Sequence, residues 1–437
     1  MDDYRLIADR LAADIAEGRL GPGDRLPPQR RFARQHGIAN STAARVYGEL
    51  VRRGLAVGEV GRGTFVRAGH PAPEPALAEP RGARVDLELN FPVLAGQAAL
   101  LTRGLSDIPG SALLPVGVTG TPAARAAASA FLARTGWAPD PARLLFAGGG
   151  RQAIAAAVAA LVPVGERLGV EELTYPVVKG IAARLGVTLV PLAMDDEGVT
   201  PEALRAAGPL RAVYLQPTLH NPLGVTMPER RREAVVRALR ELDLPVIEDT
   251  IYAFLRDDLP PLAALAPERV VVVDGLSKRL APGLTLGFAV PPADLVDRVA
   301  SALRSGVWAA SGFALAAATG WLADGTAATI QQAKRADAVA RQQVLAERFA
   351  GFTVRADPRA YHCWWELPEP WRAETFVAAA ARRGIAVSPA AAFAVGTGRA
   401  PNAVRLAMAS PPLDVLADAL STLASLARST PEDTGVD

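Results

Sequence analysis

The segment VVVDGLSKRLAPGLTLGF, residues 271–288, carries a lysine in a chain that otherwise relies on arginine. Three of the 47 basic residues are lysines, Lys179, Lys278 and Lys334, and the other 44 are arginines. A desolvated lysine can lose its proton and attack a carbonyl to form an imine, whereas arginine stays protonated. Lys278 follows an apolar run that predicts a buried strand, and open α/β sheets place ligands beyond such strand ends. We therefore predict a covalent role for Lys278.

Other polar groups follow predicted strands at equivalent points. Asp249 closes the run PVIED, Asn221 comes just after VYLQP, and the glycine cluster AGGGRQAI opens a predicted helix at residues 147–154. The amides at the start of a helix form a binding site for an anion. Singly, an aspartate at a strand end is a helix cap and a glycine cluster is a turn. Together these groups predict one cofactor, pyridoxal 5′-phosphate (PLP).

PLP requires an imine lysine, an acid for the ring nitrogen, donors to the ring oxygen, a stacking aromatic ring and a phosphate site. The sequence offers a residue for each requirement. In that order they are Lys278; Asp249; Asn221 with Tyr252; Tyr175; and the amides near Gly150 and Arg151 with Ser277.

Composition bounds the class of protein. A length of 437 residues suggests about three domains, and half of the residues are hydrophobic. The single cysteine, Cys363, excludes a disulfide framework, and none of the four histidines has the i, i+4 spacing of a metal site. The N-terminus is acidic where a signal peptide is basic, and no long apolar stretch follows. We expect a cytoplasmic protein without a metal.

The N-terminal part of the chain predicts a DNA-binding module, residues 1–68. Residues 28–67 hold eight basic and two acidic side chains, whereas residues 1–27 hold four basic and six acidic ones. Such a local positive charge predicts a nucleic-acid surface. Helical patterns over residues 4–17, 29–37 and 40–54, followed by two short strands around a turn at 61–63, predict a winged helix-turn-helix. A basic domain that binds protein is the alternative.

In a winged helix-turn-helix the third helix leads into the major groove with its N-terminal residues. We expect Asn40 to cap this helix and Ser41, Thr42 and Arg45 to face DNA. Two arginines on the second helix suit phosphate contacts, and one at the hairpin tip suits a minor groove. They are Arg30, Arg31 and Arg62.

After a proline-rich linker, residues 69–88, strand and helix patterns alternate over residues 89–437. This alternation predicts a mostly parallel sheet covered on both faces. Lys278 should lie above the carboxyl edge of that sheet.

Two resemblances cover nearly the whole chain. Residues 18–66, GRLGPGDRLPPQRRFARQHGIANSTAARVYGELVRRGLAVGEVGRGTFV, resemble the DNA-binding domain of GntR regulators, which usually have an arginine contacting DNA at the position of Asn40. HNPLGVTMPERRREAV, VIEDTIY and LSKRLAPGLTLGF resemble fold-type I aminotransferases over residues 85–430. PNAVRLAMA resembles their segment whose arginine, here Arg405, pairs with a substrate carboxylate.

A GntR-type domain joined to an aminotransferase-like body is the arrangement of the MocR regulators. The resemblance implies a large part, about residues 89–305, and a smaller α+β part, about 306–437. It also implies a head-to-tail homodimer whose PLP site senses an amino acid, an amine or PLP itself. Three positions depart from the usual pattern: Thr285 replaces a phosphate-binding arginine, Gly275 a serine or threonine, and Pro115 a tyrosine that reaches the partner's site.

Two explanations of the missing phosphate charge compete. Either Arg279 or Arg151 replaces it, or the site binds PLP weakly and reversibly. Three functions remain open: a PLP-dependent transcription regulator whose effector displaces Lys278, a working aminotransferase with a DNA-binding domain attached, and a repressor whose body serves only for dimerisation. Three further side chains either select the effector or pack in the core: His220, Trp364 and Phe393.

Overall fold

The computed structural model describes residues 4–16, 19–21, 24–53, 55–59, 63–66, 83–105, 108–306, 309–396 and 400–431. It confirms the predicted fold class, a winged helix-turn-helix followed by an aminotransferase-like α/β body with a smaller α+β part. None of the helices in these residues is long and apolar enough to cross a membrane.

The N-terminal module contains three helices and a two-stranded antiparallel hairpin. They are α1 Tyr4–Ala16, α2 Gln29–His36, α3 Asn40–Arg52, β1 Ala56–Glu59 and β2 Gly63–Val66. The predicted apolar faces meet in one core, where Val46 and Leu50 of α3 are fully buried beside Ile7 and Leu11 of α1. Gly37, at φ 64°, ends α2 in the left-handed conformation that favours glycine.

The start of α3 differs from the prediction. The N-cap is Ala39, whose extended backbone (φ −67°, ψ 150°) precedes the first turn and whose carbonyl accepts from the Ala43 N–H at 3.0 Å. Asn40 is therefore the first helical residue and does not cap the helix. The predicted end at Gly54 and the hairpin tip with Arg62 lie outside the described residues, as does most of the predicted linker.

The body is built on a seven-stranded sheet in which one strand, β12, runs antiparallel to its neighbours. The strand order is β4-β12-β11-β10-β9-β5-β6. These strands are β4 Leu145–Ala147, β5 Arg167–Glu171, β6 Thr188–Leu192, β9 Ala212–Leu215, β10 Val246–Asp249, β11 Val270–Gly275 and β12 Gly287–Val290. Between β6 and β9 in the sequence, β7 Met194–Asp195 and β8 Gly198–Val199 form a separate two-stranded antiparallel sheet.

Helices cover both faces of this sheet, as the alternating pattern predicted. They are α4 Gln97–Thr102, α5 Pro122–Leu132, α6 Gly150–Leu161, α7 Pro176–Arg184, α8 Pro201–Ala206, α9 Glu229–Glu241, α10 Leu262–Leu265, α11 Leu276–Arg279, α12 Val296–Ser305 and α13 Gly312–Ala323. Because side chains alternate along a strand, Val270 and Val272 enter one core while Val271 and Val273 enter the other.

The smaller part is a five-stranded sheet with the order β13-β14-β16-β15-β3. Its strands are β3 Val85–Leu87, β13 Val354–Arg355, β14 His362–Glu366, β15 Ile385–Pro389 and β16 Ala403–Ala407, and its helices are α14 Thr326–Arg348, α15 Ala373–Arg382 and α16 Leu413–Arg428. β3 pairs in parallel with β15. The end of the predicted linker is therefore a strand of this sheet.

The boundary between the two parts of the body also differs from the expected position near residue 305. Leu315 and Trp321 of α13 pack in the same core as the large sheet, and so do Ala327 and Ile330 at the start of α14. Farther along α14, Leu345 packs in the core of the smaller sheet. The helix α14 therefore runs from one core to the other.

Candidate cofactor and effector site

The strand ends of the large sheet and the edge of the smaller sheet enclose a cavity of about 440 Å³. The sequence predicted that a set of residues would bind PLP or its amine ligand, and nine of them line this cavity. They are Gly150, Arg151, Tyr175, Asn221, Asp249, Tyr252, Ser277, Lys278 and Arg405. The turns after β4, β5, β9, β10 and β11 supply the first eight, and β16 supplies Arg405. The parallel topology thus brings together residues that lie far apart in the chain.

Lys278 lies in α11, the short helix that follows β11. Its Nζ donates a hydrogen bond to the backbone carbonyl of Asn90 and lies 4.9 Å from the centre of the Phe91 ring. Burial, together with the positive charges of Arg151 and Arg405, lowers the pKa of Lys278 to about 7. The amine is therefore largely neutral slightly above neutral pH, as a nucleophilic lysine must be.

Asp249 ends β10 and is a buried acid with three donors. Its carboxylate accepts from the Tyr214 hydroxyl at 2.6 Å, the Gln216 Nε2 at 3.0 Å and the Ile251 N–H at 3.0 Å. Burial raises the pKa of Asp249 to about 6, although its hydrogen bonds oppose that shift. The carboxylate is therefore held in place and is ionised at neutral pH.

The other expected ring contacts lie around this acid. The Tyr252 hydroxyl accepts from the Asn90 Nδ2 at 3.2 Å, and burial raises the pKa of Tyr252 to about 12, so the hydroxyl stays protonated. Asn221 is buried, and its backbone N–H donates to the Gln216 Oε1 at 3.2 Å. Tyr175 precedes α7 and is half-buried at the cavity wall.

Glycines allow the N-terminus of α6 to approach the sheet closely. A Cβ atom at Gly275 would lie 3.1 Å from the backbone N of Gly150, and one at Gly287 would lie 2.4 Å from the carbonyl carbon of Gly149. A serine or threonine at position 275 would therefore displace the helix start. Gly275, which looks like a lost phosphate ligand in the sequence, instead permits the backbone amides of Gly150 and Arg151 to stand at the cavity.

Arg279 is not where the sequence hypothesis needs it. Successive residues of a helix point about 100° apart, so Arg279 faces away from the cavity that Lys278 faces. Its guanidinium forms a buried ion pair with Asp274, with Nη2 and Oδ2 2.7 Å apart, and Nη1 donates to the Gln331 Oε1 at 2.9 Å. The prediction that Arg279 binds the cofactor is corrected: it neutralises Asp274, and Arg151 is the arginine at the phosphate end of the cavity.

Thr285 lines the same end of the cavity and is exposed. Its backbone has φ 40° and ψ 43°, the left-handed region that a β-branched residue rarely adopts. Such a conformation costs on the order of 1–3 kcal/mol. Thr285 brings no positive charge to the cavity, and its branched side chain is strained in this backbone conformation.

Arg405 projects from β16 and is 6% exposed. Its Nη2 donates to the Glu88 carbonyl at 2.5 Å and to the Ser388 Oγ at 3.1 Å, and its Nη1 lies 3.4 Å from the Asn221 Oδ1. Among the described residues its buried Nε has no hydrogen-bond partner, and burial lowers its pKa. A buried guanidinium that is hydrogen-bonded to neutral oxygens is suited to bind a carboxylate.

The segment 88–91, which follows β3 and lines the cavity, could not be predicted from the sequence. Its carbonyls at Glu88 and Asn90 bind Arg405 and Lys278, and Phe91 covers the Lys278 ammonium. Nothing in the sequence marks this segment, because it lies at a predicted domain boundary and its contacts are nearly 200 residues or more away. Gln216, by contrast, is a polar residue at a strand end and could have been predicted.

Two of the three side chains considered for effector selection lie outside the cavity. Phe393 is the one of the three that lines the cavity, and its ring centre lies 5.1 Å from the Arg405 Cζ. Trp364 packs behind Phe393, and the His220 Nε2 lies 3.3 Å from a buried oxygen of Glu171. Cys363 is buried as well, and burial raises its pKa to about 12, which makes it a core residue.

The expected DNA-contacting residues of α2 and α3 are mostly exposed. Arg30 and Arg31 on α2 and Asn40, Ser41 and Arg45 on α3 are exposed, and Thr42 is half-buried. The Arg45 Cζ lies 4.8 Å from the centre of the Tyr4 ring, so that residue packs on α1 as well. Arg62 falls outside the described residues.

The residues of the cavity fit PLP in most respects. A low-pKa lysine, a buried ionised acid, hydroxyl and amide donors and a helix N-terminus match the amine, ring and phosphate requirements of the cofactor. The fit is incomplete at the phosphate end, where Thr285 brings no charge. The fold and the site define an aminotransferase-type body joined to a winged helix-turn-helix.

Comparisons with known proteins agree with this class. Residues 109–423 match the family described as "Aminotransferase class I and II", and residues 3–66 match "Bacterial regulatory proteins, gntR family". The HTH-type regulator YdeF of Bacillus subtilis is 30% identical over 93% of this chain and 90% of its own length. TauR of Rhodobacter capsulatus is 29% identical over 69% of this chain and 70% of its own. The chain therefore belongs to the GntR-type regulators with an aminotransferase domain, the group that the MocR resemblance predicted.

A solved structure supports the fold of the body. LysN, an α-aminoadipate aminotransferase from Thermus thermophilus, was crystallised with N-(5′-phosphopyridoxyl)-L-leucine and superposes with a TM-score of 0.70 at 22% identity. The match covers 80% of this chain and 92% of that one.

Proposed function

We propose that this protein is a PLP-dependent transcription regulator whose body senses a small amine or amino acid. One observation carries the proposal: Lys278, Asp249, Tyr252 and Arg405 converge on a single cavity in a chain that begins with a GntR-type domain. A cytoplasmic location is part of the proposal, because the DNA and the PLP must be reached together.

Each residue has a separate role toward PLP. Asp249 would pair with the ring nitrogen, Tyr252 and Asn221 would hold the ring oxygen, and Tyr175 would stack on the ring. The backbone amides of Gly150 and Arg151 and the Ser277 hydroxyl would hold the phosphate. When bound, PLP supplies an aldehyde that condenses with a primary amine, here that of Lys278.

The effector class follows from the opposite end of the cavity. Arg405 offers a buried guanidinium to a carboxylate, and Leu89, Phe91 and Phe393 supply apolar walls. We infer that a primary amine with a carboxylate binds best, because an amine without one leaves Arg405 on the Glu88 carbonyl. PLP alone is a second possible signal, since Lys278 by itself can hold it.

The segment 88–91 connects sensing to DNA binding in this proposal. It contributes the carbonyls that Lys278 and Arg405 bind. It also directly follows β3, the strand that connects it to the linker and the DNA-binding module. An effector carboxylate that takes Arg405 competes with the carbonyl of Glu88 in this segment. The effector can shift the DNA-binding state only by the difference in its affinity for the two arrangements.

A second copy of the chain completes the proposal as a head-to-tail homodimer. Leu113 is 85% exposed and Leu114 65%, and the turn that carries them packs against Gly312, the residue before Phe313, which is 51% exposed. Three large apolar side chains exposed together favour a protein interface. Pro115 lies in the same turn. Replacing Leu113 and Leu114 by glutamate should convert a dimer to a monomer in sedimentation velocity, and a wild-type monomer would contradict this part.

The PLP part is tested by the visible absorbance of the purified protein. Wild type should develop an imine band on addition of PLP, and Lys278→Arg, which keeps the charge but cannot form the imine, should not. A wild-type protein with no spectral response to PLP would exclude this proposal.

The regulator part is tested with DNA. The protein should prefer the duplex upstream of its own gene over a scrambled duplex of equal length, and a carboxylate-bearing amine should change that affinity. Equal affinity for both duplexes would contradict regulation. Sustained transamination with a keto acid would instead favour the second candidate, a working aminotransferase, because Lys278, Asp249 and Arg405 are all in place for it.

A further inference from the structure

All three lysines of the chain bind backbone carbonyls at the walls of the cavity. Lys278 donates to Asn90, as described, and the Lys179 Nζ donates to the carbonyls of Ala392 at 3.2 Å and Ala394 at 3.0 Å. The Lys334 Nζ donates to the Lys278 carbonyl at 2.9 Å and also to the Leu280 carbonyl. A chain with 44 arginines thus keeps lysine at these sites alone.

Lys334 is the most deeply placed of the three, with 0% of its side chain exposed. A buried ammonium is costly unless carbonyls or anions replace its water. The compact ammonium of Lys334 meets this need by directing separate N–H groups at the carbonyls of Lys278 and Leu280.

The helix that carries Lys334 connects the two parts of the body. As described, α14 begins in the core of the large sheet and reaches the core of the smaller sheet at Leu345. The Tyr361 hydroxyl also donates to the Lys334 carbonyl at 2.8 Å. Through Lys334 the turn that bears Lys278 is therefore attached to a helix on which both parts pack.

We propose that Lys334 is a positioning residue for Lys278: its ammonium fixes the 278–280 backbone against α14 and so sets how the Lys278 amine enters the cavity. This inference rests on the proposed role of Lys278 toward PLP. Because the clamp lies behind the backbone and not in the cavity, Lys334 itself touches neither cofactor nor effector.

The clamp should also affect the protonation of Lys278. Burial is the largest cause of the low pKa of Lys278, ahead of the charges of Arg151 and Arg405. Losing the bonds from Lys334 to the carbonyls of Lys278 and Leu280 frees this backbone and exposes the Lys278 amine to water, so the pKa of Lys278 should rise toward its usual value. Burial, with the charge of Lys278, likewise lowers the pKa of Lys334 to about 7, while Asp337 on the same helix opposes that shift.

The experiment uses the small number of lysines. The full-length protein labelled with ¹³C at lysine Cε should give three resonances, assigned with Lys179→Met, Lys278→Ala and Lys334→Met. In Lys334→Met, the Lys278 resonance should titrate at higher pH than in wild type, without any PLP present. PLP affinity should also fall, by about tenfold, because the Lys278 amine no longer enters the cavity in the position that the clamp sets.

Arg335→Met is the matched control. Arg335 is the next residue of α14 and donates to the Phe254 carbonyl at 2.6 Å and to Asp257 at 2.7 Å, but it does not contact the Lys278 turn. The Lys278 titration and the PLP affinity should keep their wild-type values. Equal changes in both variants would assign the effect to the helix as a whole and overturn the proposal.

A folded Lys334→Met protein with the wild-type Lys278 titration and PLP affinity would also overturn it. Should that variant not fold, Lys334→Gln takes its place, because its neutral amide still donates to one carbonyl and should give a smaller change in the same direction. The titration needs no cofactor. A wild-type protein that does not bind PLP would therefore contradict the proposed function. The effect of Lys334 on the titration of Lys278 could still be measured in that case.

Discussion

The Nζ of Lys278 donates its hydrogen bond to the backbone carbonyl of Asn90, three residues after the end of β3. The Arg405 guanidinium binds the carbonyl of Glu88 in the same segment. Lys278 and Arg405 are thus both held by carbonyls of one four-residue segment. An aldehyde that condenses with Lys278, or a carboxylate that binds Arg405, must compete with this segment.

Hydrogen exchange should report that competition. The Phe91 N–H donates to the Ser410 Oγ at 3.0 Å, and the Leu89 N–H to the Asp86 Oδ1 at 3.1 Å. With PLP present, a carboxylate-bearing amine should speed amide exchange in residues 88–91, because its carboxylate takes Arg405 from the carbonyl of Glu88. The same amine without its carboxylate should have a smaller effect. Slower exchange with the amino acid would contradict displacement.

The rate of PLP uptake should depend on pH through Lys278. Only the neutral amine attacks the aldehyde, and the pKa of Lys278 is lowered to about 7 from its usual 10.5. At saturating PLP the rate should therefore rise between about pH 6 and 8 and stay level above that range. In Arg151→Gln the midpoint should move to higher pH, since a positive charge that lowers the pKa is gone. A rate that keeps rising to pH 10 would contradict the low pKa.

Arginine at position 285 should strengthen PLP binding. Thr285 lines the phosphate end of the cavity, and a charged hydrogen bond there is worth about 1.5–3 kcal/mol, or roughly a tenfold gain or more in affinity. Spectral titration of Thr285→Arg measures the gain. Thr285→Gln is the control, because it relieves the strain of a β-branched residue at φ 40° without adding charge. Equal affinities of the two variants would rule out a missing charge as the weakness of the site.

The salt dependence of DNA binding should identify the phosphate contacts. Arg31→Ala should lower the slope of log affinity against log salt by about 0.9, the effect of one phosphate contact, for specific and scrambled duplexes alike. Arg237, on the exposed face of α9, is the control, and its replacement by alanine should leave the slope unchanged. Fluorescence anisotropy over a range of salt concentrations gives the slopes. Unchanged binding in Arg31→Ala would place the DNA elsewhere.

The sequence predicted the local elements and the strand-end residues of the site well. Val270–Val273 alternates between two cores, so an uninterrupted apolar run could be recognised as a buried strand, and Lys278 could be placed just beyond it. Side-chain direction could not be read in the same way. Arg279 looked like a spare cation because it is adjacent to Lys278, but one step along a helix turns it toward Asp274.

Long-range contacts were the other source of error. The sequence at Gly275 suggests a lost phosphate ligand, because its close approach to Gly150 is visible only in the structure. The residues of β3 resemble a linker, because the partner strand β15 lies 300 residues later in the chain. The roles of Lys179 and Lys334 depend on carbonyls, which every residue has, so no side-chain motif could reveal them.

The pairing of β3 with β15 has a mechanical consequence. Since β3 is the first described element after the DNA-binding module, a pull from that module acts first on this edge strand. When one of two parallel strands is pulled along its length, all the hydrogen bonds between them bear the force together. The pairing of β3 with β15 therefore holds until these hydrogen bonds break at the same time. Tension on β3 would therefore act on the segment that continues it, residues 88–91, and so on the residues that contact Lys278.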